Sequence, residues 1–130
     1  DYGLVPTLRW YVTQLVARTG IDIQTQGDLS GRLQSTVETA LFRIAQEALN
    51  NAIKHANATQ IKVSLEETHN SVRLIVADNG VGFDPEGVVT EEHQGRGLTI
   101  MAERAEAVGG HLAVESRPDH GTRVLVEVSR

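Results

Sequence analysis

"IKVSLEETHNSVRLIVADNGVGF", residues Ile61 to Phe83, decides the fold. Its opening run, IKVSLEE, alternates apolar and polar residues, as does SVRLIVAD from Ser71 to Asp78. The polar turn Thr68–Asn70 joins them. Such alternation marks half-buried strands, and two runs across a short turn make an antiparallel hairpin. A second pair, HLAVES (His111–Ser116) and RVLVEVS (Arg123–Ser129), flanks the turn RPDHGT and closes the chain. Two hairpins argue against a doubly wound parallel sheet, whose strands need crossover connections.

Helical spacing fills the rest. Leu4, Leu8, Tyr11, Leu15 and Val16 predict a first helix, which Gly20 stops. IDIQTQ (Ile21–Gln26) predicts a strand. STVE (Ser35–Glu38) has the pattern of a capping box, with Val37, Leu41, Ile44, Ala48 and Ala52 behind it in a central helix ending near Asn57. Residues 79–97 carry five glycines, one proline and no apolar period, and are expected to form a long functional loop. Leu98, Met101, Ala102, Ala105 and Val108 predict a last helix, stopped at Gly109–Gly110. The expected fold class is α+β: a two-layer sandwich with about three helices on one face of a mixed, mostly antiparallel five-stranded sheet.

With 130 residues the chain suffices for one domain, assigned to residues 1–130. Its lack of cysteine excludes disulfides, thiolate metal sites and a cysteine nucleophile. A net charge of −5 without a basic block argues against a nucleic-acid surface. No apolar run is long enough to span a membrane, so no direct membrane contact is expected of this segment. The first residue is Asp1, with a helical pattern almost at once, as expected of a piece of a longer protein.

The central helix carries Glu47, Asn51 and Lys54 within an arc of roughly 60° beside its apolar stripe. Such a ridge is either a solvated face or one wall of a site for a charged ligand. The amide oxygen of Asn51 suits Mg²⁺, which takes few protein ligands and completes its shell with phosphate and water oxygens. Glu47, one turn earlier, can hold a metal-bound water or act as a base, and Lys54 can meet phosphate as a point charge. Asp78 ends a strand, where a carboxylate can accept a hydrogen bond from an exocyclic amine such as that of adenine. Gly80 and Gly82 behind it permit close backbone approach. GRGL (Gly95–Leu98) leads into a predicted helix whose free N–H groups could receive phosphate. Neither glycine cluster completes a dinucleotide-binding fingerprint, and no P-loop is present.

Taken in order, EALNNAIKHA, DNGVGF, GRGLTIMAERAEAVGG and GTRV resemble the N box, the two glycine boxes and the closing Gly-Thr turn of the histidine-kinase ATP-binding domain. This is the Bergerat fold shared with gyrase and Hsp90. The resemblance extends over nearly the whole chain and is strongest to the subfamily of nitrate- and membrane-fluidity-sensing kinases.

The resemblance implies a protein-histidine kinase catalytic domain that binds ATP with Mg²⁺. Its γ-phosphoryl group would go to a histidine on a separate dimerisation domain, for relay to a response regulator with helix-turn-helix output. It further implies Asn51 and Glu47 at the metal, with Glu47 and Lys54 as the catalytic candidates. Asp78 would read the adenine amine in a pocket shaped by Gly80 and Gly82, and Thr122 would support the base. His55 and Leu98 would lie beside the nucleotide, with Gly95 and Gly97 at its phosphates. Residues 83–94 would form a short lid without a separate aromatic box, and Arg96 stands where a lid contact would fall. The five histidines do not stand in an acceptor helix, so the acceptor is expected in a preceding helical hairpin, in a homodimeric cytoplasmic or membrane-anchored kinase. Rival readings are another ATPase or serine kinase of the same fold, and a nucleotide-binding module without transferase activity.

Overall fold

The computed structural model describes residues 3–82 and 92–129, with the backbone path alone for residues 92–96. Three helices lie on one face of a five-stranded sheet: α1 (Leu4–Thr19), α2 (Ser35–Lys54) and α3 (Glu92–Ala107). The strands are β1 (Asp22–Gln26), β2 (Gln60–Glu67), β3 (Ser71–Asp78), β4 (His111–Ser116) and β5 (Thr122–Ser129), in spatial order β1-β2-β3-β5-β4. β1 runs parallel to β2, and every other pair is antiparallel. The predicted mixed, mostly antiparallel sandwich is the fold observed.

Alternation sets which side chains enter the core. Ile61, Val63 and Leu65 of β2, Val72, Leu74 and Val76 of β3, and Val124, Val126 and Val128 of β5 are all buried, pointing at the helices. Lys62, Glu66, Arg73, Arg123 and Glu127 take the opposite phase, where Arg73 pairs with Glu127 across β3 and β5. Because the side-chain period is two, a slip of one residue would exchange these faces. Against the buried rows, α2 lays Leu41, Ile44, Ala45, Ala48, Leu49 and Ala52, and it also packs on α1 and α3.

Four local expectations need correction. Ser35 and Glu38 form no capping box: α2 has Gln34 at its N-cap and no side-chain cap bond. Glu38 is drawn instead to Arg32, whose Nη2 donates to Glu38 Oε1 at 2.8 Å, and it also accepts the Leu33 N–H. A charge-assisted fork outcompetes a neutral cap. The helix stops at Lys54, short of Asn57, which takes a left-handed φ of 52°. In α1 the buried stripe includes Val5 and Val12, while Val16 is exposed. Finally, α3 begins at Glu92, six residues before the first apolar residue of its predicted pattern.

Candidate functional site

Strand phase carries the site's central group. Asp78 continues the buried row Val72–Leu74–Val76 and therefore faces the helices, opposite Ile61 on β2 and Thr122 on β5. A cleft of about 20 Å³ opens there, lined by Ala48, Asn51, Ala52 and Ala56 from the α2 side, Val76 and Asp78 from β3, Leu98 from α3, and Thr122 and Val124 from β5. Ala48 and Ala52, one turn apart on α2, and Ala56 just past its end give that side of the cleft an apolar wall of methyl groups, with Asn51 beside them. The result is a slot with a carboxylate and a hydroxyl at one end.

Burial pushes the Asp78 carboxyl above the usual aspartate range, against the opposing pull of the Gly80 and Thr122 backbone N–H groups. The Gly80 N–H donates to Asp78 Oδ1 at 2.8 Å. No cation pairs with Asp78 among the described residues, so its free acceptor capacity is directed at whatever enters the slot.

The turn after Asp78 is held between two loops. Val81 N–H donates to Ala56 O at 2.8 Å, and Asp119 N–H donates to Val81 O at 2.5 Å. Gly80 presses on Ala56. Gly82, at φ 67°, leaves no room for a side chain, since a Cβ there would stand 2.1 Å from the Arg117 carbonyl oxygen. Close backbone approach at Gly80 and Gly82 thus holds the turn after Asp78, and neither glycine lines the cleft itself.

Glu47 and Asn51, one turn apart on α2, converge on the backbone of α3. A Cβ at Gly97 would lie 2.7 Å from Glu47 Oε1 and 3.2 Å from the Asn51 amide nitrogen. Gly97 is buried at that crossing, in the second turn of α3 and not ahead of the helix. Its N–H is therefore within reach of an intrahelical carbonyl, and the expected phosphate-receiving helix start at GRGL is displaced toward Glu92. Lys54 and His55 do not line the slot: Lys54 is exposed at the last turn of α2 and His55 is half-buried at its C-cap. Residues 83–91 of the expected lid, and the side-chain surroundings of Gly95 and Arg96, lie outside the described residues.

Sequence reading missed two supports. Ser116, buried, pairs its hydroxyl with Thr122 Oγ1 at 2.8 Å and donates to Gly121 O. Asn79, read only as part of a turn, binds the loop after α2 through its carboxamide. A buried serine at a strand end and an asparagine within DNG were the available signals.

Residues 36–130 match the model of the histidine kinase-, DNA gyrase B- and HSP90-like ATPases, and the chain belongs to that family. Its curated relatives bear out the resemblance to sensor kinases of the nitrate-sensor type. It is 38% identical over 130 residues to the signal transduction histidine-protein kinase/phosphatase DegS of Brevibacillus brevis, covering 98% of this chain and 33% of that one. It is 38% identical to the oxygen sensor histidine kinase NreB of Staphylococcus carnosus, covering 98% and 37% respectively. The chain thus spans about a third of the length of these relatives. Among solved structures, the fold superimposes on the blue-light activated histidine kinase of Erythrobacter litoralis EL346 with a TM-score of 0.78 at 18% identity, covering 97% of this chain and 41% of that one. Full-length ShkA in complex with AMPPNP gives a TM-score of 0.72 at 24% identity, covering 96% and 29%.

Proposed function

We propose that this chain is the catalytic domain of a sensor histidine kinase. It binds Mg²⁺-ATP in the slot between α2, α3 and the sheet. It then presents the γ-phosphoryl group to a histidine on a separate dimerisation domain. The observation that carries the reading is the half-buried Asp78, which pairs with no cation among the described residues, at the end of an alanine-walled apolar slot, a surface suited to a planar base bearing one amine donor. Asp78 accepts the adenine amine, Thr122 supports the ring edge, and Ala48, Ala52 and Ala56 lie along its face. At about 20 Å³ the slot admits little more than one water, so a purine enters only as the walls of the slot move apart.

The residues at the crossing of α2 and α3 fit a magnesium ion shared with phosphates. Glu47 Oε1 faces the crossing, Asn51 presents its amide nitrogen there and would turn its oxygen toward an ion, and Gly97 keeps the facing backbone free of a side chain. Two protein oxygens are few, as suits an ion that retains water and binds phosphate. When bound, the ion neutralises charge on the β- and γ-phosphoryl oxygens. Lys54 reaches outward to the same phosphates and His55 lies beside the nucleotide, with Gly95 near the phosphates. In transfer, an imidazole nitrogen of the acceptor bonds to the γ-phosphorus as its bond to the ADP oxygen breaks. Most of the protein's contribution is positioning.

The acceptor hairpin, a homodimeric whole protein, a response regulator with helix-turn-helix output and a cytoplasmic location complete the proposal. Among the described residues no helix is long and apolar enough to cross a membrane. Calorimetric titration with ATP, with and without Mg²⁺, tests the nucleotide reading. Transfer of γ-labelled phosphate to the acceptor hairpin tests the kinase reading, and brisk hydrolysis by the lone chain would favour an ATPase instead.

A further inference from the structure

We propose that Asn79 is a positioning residue for nucleotide-base recognition, locking the Asp78 carboxylate in its reading geometry by tying the Asp78–Gly80 turn to the loop after α2. The inference rests on the reading of Asp78 as acceptor of the adenine amine.

The Asn79 side chain makes three hydrogen bonds, all to one short segment. Its Oδ1 accepts the backbone N–H groups of Thr59 and Gln60, each at 2.9 Å, and its Nδ2 donates to Thr59 Oγ1 at 2.9 Å. Its own N–H donates to Gln60 O at 3.2 Å. Four bonds converge on two residues, which lie about twenty positions earlier in the chain. Two residues further on, Val81 N–H grips Ala56 O in the same loop. The peptide groups between Asp78 and Val81 are thereby fixed at both ends.

What this fixes is the orientation of Asp78. Gly80 N–H donates to Asp78 Oδ1, so one carboxylate oxygen is committed to the turn, and the carboxylate as a whole lines the slot. That bond survives only while the Asn79 and Gly80 peptides keep their present planes. With Asn79 released, the turn is free to rotate, the Gly80 N–H parts from Oδ1, and the carboxylate samples rotamers that do not face the base. Asn79 is itself exposed, so its removal leaves no buried cavity.

The experiment measures affinities of the 130-residue chain for ATP and for inosine triphosphate, in which an oxo group replaces the amine. Wild type, Asn79→Ala, Asn79→Asp, Asp78→Asn and the double variant Asp78→Asn/Asn79→Ala are compared. Asn79→Ala should weaken ATP by roughly threefold to tenfold, the size of one ordinary net hydrogen bond, and leave inosine triphosphate nearly unchanged. Asn79→Asp keeps the two acceptor positions and should restore ATP binding. In the Asp78→Asn background, Asn79→Ala should cost nothing further, because the group it positions is gone. Equal losses for both nucleotides, full additivity with Asp78→Asn, or no loss at all would overturn the proposal and leave Asn79 a loop fastener. If Asp78→Asn itself leaves the ATP-to-inosine-triphosphate ratio unchanged, the adenine reading of Asp78 fails, and the proposal falls with it.

Discussion

Asp78 and Thr122 are cross-strand partners in the β3–β5 register, each one position beyond a buried apolar row and in phase with it. The same alternation that builds the core therefore delivers a carboxylate and a hydroxyl to its edge, on the helix side of the sheet. Ser116, the β4 partner of Thr122, completes a line of three polar side chains across adjacent strands.

Replacing Asp78 by Asn exchanges an acceptor oxygen for a donor facing the amine. ATP and ADP affinities should fall alike, by roughly tenfold to a hundredfold, since a mispaired buried polar contact costs about 1–3 kcal/mol. Calorimetry on the folded variant checks this. Unchanged affinity would remove Asp78 from the site.

Burial raises the pKa of the Asp78 carboxyl, and its proposed acceptor role needs the ionised form. ATP affinity should therefore weaken on acidification at a higher pH than an ordinary aspartate would require. Linkage gives the unliganded fold the opposite sign: the stabilisation from protonated Asp78 is fully present below its unfolded pKa and is lost as pH rises through the raised folded value. Glu38 behaves conversely. Its carboxyl is held below the usual range by Arg32, so its contribution is present above the unfolded pKa and is lost as pH falls through the folded one. Titrations of ATP affinity against pH in wild type and Asp78→Asn, with parallel urea melts that include Glu38→Gln, separate the three effects. A pH profile unaltered by Asp78→Asn would contradict the assignment.

Asn51 is expected to act through the metal. Asn51→Ala should weaken nucleotide binding in Mg²⁺ much more than in EDTA. An equal loss in both conditions would make Asn51 a structural residue only.

Two glycine substitutions should fail differently. At Gly97 the new methyl meets the end of a flexible side chain, Glu47, so Gly97→Ala should fold with a near-normal melting temperature yet lose Mg²⁺-ATP affinity. At Gly82 it meets backbone at a left-handed φ, and Gly82→Ala should lose about 1–3 kcal/mol of stability. Thermal melts and ATP titrations on both variants distinguish a site glycine from a fold glycine. Equal destabilisation of the two would contradict the assignment.

Local periodicity made most of this legible. Alternation fixed the two hairpins and the phase of Asp78, and helical spacing fixed α2 with the convergence of Glu47 and Asn51. What escaped depends on partners distant in sequence or on segments without apolar period. Glu38 matched a capping pattern but was claimed by Arg32. The first turns of α3, HQGRG among them, have no hydrophobic spacing to announce a helix, so its start was placed late. Asn79 reads as any turn asparagine because its partners, Thr59 and Gln60, lie about twenty residues earlier in the chain. Likewise, the Ser116–Thr122 hydroxyl pair exists only once β4 and β5 have paired.

The proposed function requires transfer of the γ-phosphoryl group to a histidine on a separate acceptor hairpin. The direct measurement is γ-labelled ATP supplied to the chain alone, to the proposed acceptor hairpin alone, to the two mixed, and to the two tethered. The chain alone should bind ATP, hydrolyse it very slowly and remain unlabelled. The hairpin should acquire acid-labile, alkali-stable label, faster when tethered than when mixed, because tethering raises effective concentration. Acid-stable label, or none even in the tethered protein, would contradict the account.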